Sequence, residues 1–421
     1  MLVAVVMLFV VGAMAALSID VVTIYTARSE AQLAADGAAL AGARVLANSG
    51  ATSDTTGLSM PNAQPLAKAV AIQVAQNSLV GGRDLVYANG EVTIGFGGTA
   101  ISPCNVTNPC ITVRVQRTDL PTFFARIWGS KQVTVGASAT AEAYNPSGAN
   151  ALAGTTTPVA PICVKPWLLP NIDPSSPANP IFVTTTGAIA TTATGLLGWT
   201  SSNPTTGVPM SLVCPLGDCS GTLSPLVWEY YPGDPTYFPA PTQSIPTCTP
   251  AMNTGYEKSI AGCIQTPIAC NSQVNFDASN YGNNRNREMA RAVNCLTHAT
   301  AAGGGDMVDI TAGTNPPFQF IAGDNNPIPG LAGSDVMVSD SLVTVPVFDS
   351  VTGTSPTNPV TIIGFVQLFL NPDGLEAPTT PPNHGKVNTT VINIAGCGTG
   401  AAGQPILGNG ASPVAVRLIS P

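Results

Sequence analysis

Ten cysteines and two histidines are the residues of this chain best equipped for chemistry. The cysteines are Cys104, Cys110, Cys163, Cys214, Cys219, Cys248, Cys263, Cys270, Cys295 and Cys397. Cys214 and Cys219 have four residues between them, a spacing open to a metal knuckle or a redox pair. A zinc site needs a second matching pair, and Cys263 and Cys270 have six residues between them. An even count in a loop-rich sequence behind an apolar N-terminus favours structural disulfides and an oxidising compartment. The alternative is buried free thiols in the cytosol. Cys104 and Cys110 could close one loop. Cys248, Cys263, Cys270 and Cys295 could form two bridges, and Cys163 and Cys397 could join the ends of a domain. The pairing itself is not readable.

His298 and His384 leave little material for acid–base or metal chemistry. A Ser–His–Asp set can be drawn from either, but with this many Ser and Thr residues it carries no weight. His298 falls on a predicted helix and reads as a surface or packing residue. No G-x-S-x-G elbow, P-loop or H-E-x-x-H occurs. The Asn/Asp-rich stretch 275–288 lacks the spacing of a calcium loop and reads as turns. With 15 Lys and Arg, a net charge of −8 and no basic cluster, nucleic-acid binding is not expected. The chain therefore reads as a non-enzyme with no cofactor and no metal.

Charged residues make up 9% of the chain, against roughly 25% in ordinary soluble proteins. With 42 Gly and 38 Pro, many turns are expected. The run that opens at Leu2 and closes at Ile19 has no charge. As a helix it reaches about 27 Å, close to the ~30 Å of a hydrocarbon core. Ala13-Met14-Ala15 offers a signal-peptidase site, but no basic segment precedes the run and it is longer than a usual signal core. An uncleaved, single-pass anchor is the preferred reading. Helical pattern continues from Asp20 to Ala47. There Ile24, Arg28, Gln32, Asp36 and Leu40 share one row, and Ala34, Ala38 and Ala41 give a small-sided surface. That surface packs either on the protein's own sheet or against a second subunit.

The run DVVTIYTARSEAQLAADGAALAGA resembles the N-terminal segment of TadE/TadG-like proteins of the Flp (Tad) pilus-assembly system. Asp20, Tyr25, Arg28, Gln32, Asp36, Ala38 and Ala41 stand at matching places. Gly37 departs from the usual alanine, with a cost to helix propensity and room for a close contact. The resemblance is strongest over 2–47 and extends less tightly to about residue 145. It implies an inner-membrane anchor, a periplasmic or extracellular bulk, and contact with pilus-assembly or pilin subunits through the helix. Some relatives carry a von Willebrand A-type adhesion site. The required Asp-x-Ser-x-Ser loop is missing here, since Asp340-Ser341-Leu342 and Asp349-Ser350-Val351 lack the spacing.

Behind the helix, a second helix is expected at 66–79, opened by Pro65 and striped by Leu66, Val70 and Val74. Strands are expected at 91–96, 111–117 and 132–144, with a short helix from the segment LPTFFARIWGSK whose Phe123, Phe124, Ile127 and Trp128 form an anchoring face. The division is 1–47 anchor and extended helix, 48–145 α/β head, 146–160 linker, and 161–421 a mostly β, cysteine-containing domain. In the last, strands are expected at 181–186, 226–230, 342–348, 361–369, 387–394 and 413–419, with one helix at 286–301. The fold class is α+β: a long membrane helix with a pilin-like α/β head, then a disulfide-containing β domain. The leading function is a membrane-anchored, minor pilin-like component of Flp/Tad pilus assembly. A surface adhesin using Trp199, Trp228, Tyr230, Tyr231 and Tyr237 against glycans is the second reading, and an anchored hydrolase the third.

Overall fold

The computed structural model describes residues 2–54, 56–97, 108–145, 160–171, 181–184, 187–190, 197–198, 210–213, 227–243, 245–277, 283–299, 304–313, 315–350, 357–380, 385–397, 405–406 and 412–420. The expected 146–160 linker, Cys104, Cys214, Cys219, Trp199 and His384 fall outside them, apart from the linker's last residue. The chain forms two units that do not follow its order. One holds 1–46, 64–143 and 416–421; the other holds 47–63 and 144–415. The segment after the long helix therefore joins the later unit, and the C-terminal strand joins the earlier one. That differs from the serial division expected from composition.

In the first unit, the uninterrupted pattern from residue 2 makes one helix, α1 (Leu2–Asn48). A second helix, α2 (Met60–Gln76), starts earlier than Pro65 suggested. The sheet is four-stranded, in the order Ala415–Ser420, Gln132–Tyr144, Cys110–Pro121, Val92–Phe96. Ile111, Val113 and Val115 alternate onto one buried face, as a period of two requires. Across the strand pair they meet Ala141, Ala139 and Ala137. The buried stripe of α2 is Ala63, Ala67, Ala71 and Ala75, each fully buried, not the expected Leu66, Val70 and Val74. Gly42 of α1 explains the difference. A methyl group there would lie 2.5 Å from Ile111 Cδ1 and 3.3 Å from Ala71 Cβ. The two helices approach too closely for anything larger than alanine between them, so the larger residues flank the contact. Gly37, by contrast, would place a methyl 3.8 Å from Val74 Cγ1, an ordinary contact. The close approach expected at Gly37 belongs to Gly42.

The second unit is built on an eight-stranded sheet. Its spatial order is Tyr231–Pro232, Trp167–Pro170, Leu342–Phe348, Val360–Leu370, Val387–Gly396, Met210–Val213, Val227–Glu229, with Gln273–Val274 paired to Val360–Leu370. Leu342–Phe348 and Val360–Leu370, both expected as strands, pair antiparallel as a hairpin. Both faces of this sheet are covered. Trp167, Leu169, Val366 and Leu368 enter one apolar cluster, while Leu168, Phe348 and Phe365 enter another. Two-sided burial is why the strands read as near-continuous apolar runs. α3 (Gly255–Ala261) and α4 (Asn283–Leu296) pack on the first cluster through Tyr256, Ile260, Met289 and Val293.

Three expectations for this unit are corrected. Among the described residues of 181–186, only an isolated bridge from Val183 to Ile189 forms. The Asn171 side chain takes the ladder's place, accepting from the Phe182 and Val183 N–H groups and donating to the Val183 carbonyl at 2.8 Å. The helix expected at 286–301 ends at Leu296, because His298 adopts a left-handed φ of 56° and closes it. α3 was not expected, although Thr254-Gly255-Tyr256-Glu257 is a capping box in which each side chain accepts from the other's backbone N–H.

Candidate functional site: the long helix and what holds it

Beyond its apolar run, α1 has two faces. Ala27, Ala31, Ala34, Ala35, Ala38, Ala39 and Ala43 are buried inside the first unit. The small-residue row is thus occupied by the protein's own α2 and sheet, and the expectation that Ala34 and Ala38 meet a second subunit is corrected. Ala41 is half-buried. On the other side Val22, Tyr25 and Leu33 stand 63%, 69% and 70% exposed, and Arg28 is exposed beside them. Residues spaced by three, four and seven lie along one side of a helix. Val22, Thr26, Ser29 and Leu33 follow that spacing and are exposed, with Tyr25 and Arg28 exposed beside them, so the outward side mixes apolar, hydroxyl, aromatic and cationic side chains.

The matching residues divide between these faces. Asp20, directly after the apolar run, is buried. Its carboxylate accepts the backbone N–H groups of Phe123 at 2.8 Å, Phe124 at 3.0 Å and Ala125 at 2.6 Å. It thereby caps the short 3-10 turn Ala125–Trp128. A carboxylate with three N–H donors keeps its charge where an unpartnered one would not. Glu30, three turns further on, accepts the Gly81 N–H at 2.6 Å. Gln32 donates to Asp36 at 2.7 Å along the helix. Tyr25 and Arg28 face outward. The expected anchoring face of the 123–128 turn is corrected in part: Phe123 is 63% exposed.

One ionic cluster fixes the loop beside α1. Arg83 bonds both Glu91 and Asp119, and Arg117 Nε donates to Asp119 at 2.9 Å. Hydrogen bonds from Arg83, then from Arg117, hold the Asp119 carboxyl down at about 2. The Arg83 bond likewise lowers Glu91. These groups sit at the bulge between Arg117 and Leu120.

The cysteines pair across the second unit as Cys163–Cys263, Cys248–Cys295 and Cys270–Cys397, with Cα–Cα separations of 4.3, 5.6 and 5.4 Å. Cys163 and Cys397 therefore do not join each other, and only Cys248–Cys295 lies within the expected foursome. Cys110 is also disulfide-bonded. His298 Nε2 lies 3.0 Å from Asp340, and among the described residues no serine or cysteine bonds its ring. It lines a cleft of about 410 Å³ with Arg291, Asn294, Asn325 and Glu376, beside the Cys248–Cys295 bridge. No group of three His, Cys, Asp or Glu fit to hold a metal occurs among the described residues. The aromatic platform expected for glycans is corrected in part: Tyr237 is half-buried, and Trp199 lies outside the described residues. Trp228 and Tyr230 are buried, and the half-buried Tyr231 meets the ring of buried Phe348 edge-on.

Taken together, these features define a class: a head held along one long helix whose first part is apolar and long enough to cross a membrane. Residues 1–45 match the family model described as putative Flp pilus-assembly TadE/G-like. No curated protein and no solved structure matches the chain.

Proposed function

We propose that the protein is a membrane-anchored, extracytoplasmic structural component of Flp/Tad pilus assembly, minor pilin-like in its α/β head. It sits in the inner membrane by a single pass through residues 2–19, with both units on the periplasmic or outer side. The family match over α1 carries this reading. The three bridges of the second unit support an oxidising compartment. Other pilus-assembly subunits meet the exposed side of α1, where Tyr25 and Arg28 of the family phrase have no burial to explain them. The test is piliation of a deletion strain complemented with Tyr25→Ser plus Leu33→Ser. Loss of pili at normal protein levels supports the role. Normal piliation by both the double variant and the deletion strain would sink it.

A further inference from the structure

Asp20 ties a second segment of the protein to the point where α1 leaves its apolar run. We infer that the hairpin tip 122–131 is an interfacial membrane contact, seated on the headgroups of an anionic phospholipid bilayer and held at that depth by Asp20. The inference rests on the membrane reading of α1 and adds a lipid-binding surface to the head.

The tip joins strands Cys110–Pro121 and Gln132–Tyr144. It is closed by its own backbone: Thr122 N–H donates to the Lys131 carbonyl at 3.3 Å, Ser130 N–H to Ala125 at 3.2 Å and Gly129 N–H to Arg126 at 3.1 Å. Asp20 accepts three further N–H groups from it. The donors of Phe123, Phe124 and Ala125 are thus satisfied without water, as proximity to hydrocarbon requires. With 2–19 spanning about 27 Å of a ~30 Å core, residue 20 lies at the boundary. The Phe123 nitrogen sits 2.8 Å from its carboxylate, so the Phe123 ring is carried at the same level. That ring is 63% exposed, which is costly in water and ordinary for an apolar side chain inserted at the headgroup–acyl boundary. Arg126 and Lys131 of the same tip are exposed and suit anionic headgroups, in a chain whose net charge is −8. The pattern of exposed aromatic and cations, continuous with a membrane helix, fits a lipid surface better than a protein partner.

Full-length protein carrying photo-crosslinking benzoylphenylalanine in place of Phe123, Val10 or Leu79 tests this in vesicles of phosphatidylethanolamine and phosphatidylglycerol. Val10 reports the anchor. Leu79 is exposed and adjoins Gly81, which bonds Glu30. Glu30 lies about 15 Å further along α1 than Asp20. Lipid adducts at 10 and 123 but not 79 are expected. The 123 adduct should fall several-fold in the Asp20→Asn variant while the Val10 adduct holds. An adduct at 10 without one at 123 overturns the inference and leaves the anchor standing. Equal adducts at 79 and 123 overturn it too, as does an unchanged 123 yield in Asp20→Asn. No adduct at 10 overturns the anchor and this contact with it.

Discussion

Two glycines on one helix should respond to the same substitution with opposite signs. Gly37 and Gly42 both lie in α1, where glycine costs about 1 kcal/mol relative to alanine. In Gly37→Ala the added methyl finds only Val74 Cγ1, at 3.8 Å, so about 0.5–1 kcal/mol of stabilisation is expected. In Gly42→Ala the same gain is opposed. The methyl would sit 2.5 Å from Ile111 Cδ1, 3.2 Å from the Ala67 carbonyl and 3.3 Å from Ala71 Cβ. Ile111 can rotate its terminal methyl, but the backbone of α2 must also give, and overpacking costs roughly 1–3 kcal/mol. The net effect is a loss of about 0–2 kcal/mol. Because the protein has two units, a single melting curve is a poor readout. Amide exchange at 111–115 reports the first unit directly, with each 1.4 kcal/mol about tenfold in protection. The expected order is Gly37→Ala above wild type above Gly42→Ala. If Gly42→Ala raises protection as much as Gly37→Ala does, α1 and α2 are not in alanine-limited contact.

Further outcomes follow from the second unit and the ionic cluster. Reduction of the bridges, which enclose separations of 100, 47 and 127 residues, should destabilise the second unit by about 2–4 kcal/mol each; a melt under reductant that leaves its transition in place refutes this. Asp119 and Glu91 have folded values below their unfolded ones. Their stabilisation is therefore present above about pH 4 and is lost as pH falls toward the Asp119 value of about 2. Amide exchange near the 117–120 bulge should accelerate over that window, and less so in Asp119→Asn. Lys165 is buried, donates to the Ile260 and Gly262 carbonyls at 2.6 and 2.9 Å, and is lowered by desolvation to about 7. The unfolded chain then binds the extra proton above that value, so stability of the second unit should rise with pH from about 7, by up to about 1.4 kcal/mol per unit. Lys165→Met should flatten that rise in denaturant titrations at pH 7 and 9.

How much of this was legible depended on whether local pattern and tertiary demand agreed. The β-branched and aromatic runs at 342–348 and 361–369 named their strands, since short length and a Ser/Thr/Pro/Asn-rich connection argue against a buried helix. The stretch 181–186 carried the same signal and failed, because Asn171, remote in pattern, satisfies its backbone. In α2 the hydrophobic spacing points to Leu66, Val70 and Val74, while the contact is made by alanines. Alanine signals nothing by hydrophobicity; only the distance between two helices tells whether it is filler or a contact residue. The bridges were legible as a class and not as a pairing, since pairing depends on which sheet faces meet.

The family phrase on α1 can now be read as two functions interleaved on one helix. Asp20 and Ala38, with Ala34 beside them, are explained inside the protein: one caps a turn with three hydrogen bonds, the others admit α2. A substitution such as Ala38 to a bulky residue would therefore break the first unit before it tested assembly. Tyr25 and Arg28 have no such internal explanation, and they lie on the side that also exposes Val22 and Leu33. If the phrase served folding alone, its residues would fall on the buried face. That Tyr25 and Arg28 are exposed, a turn or two beyond the apolar run, locates the question of partners on that side of the helix. Substitutions there change what the helix presents without changing what holds it.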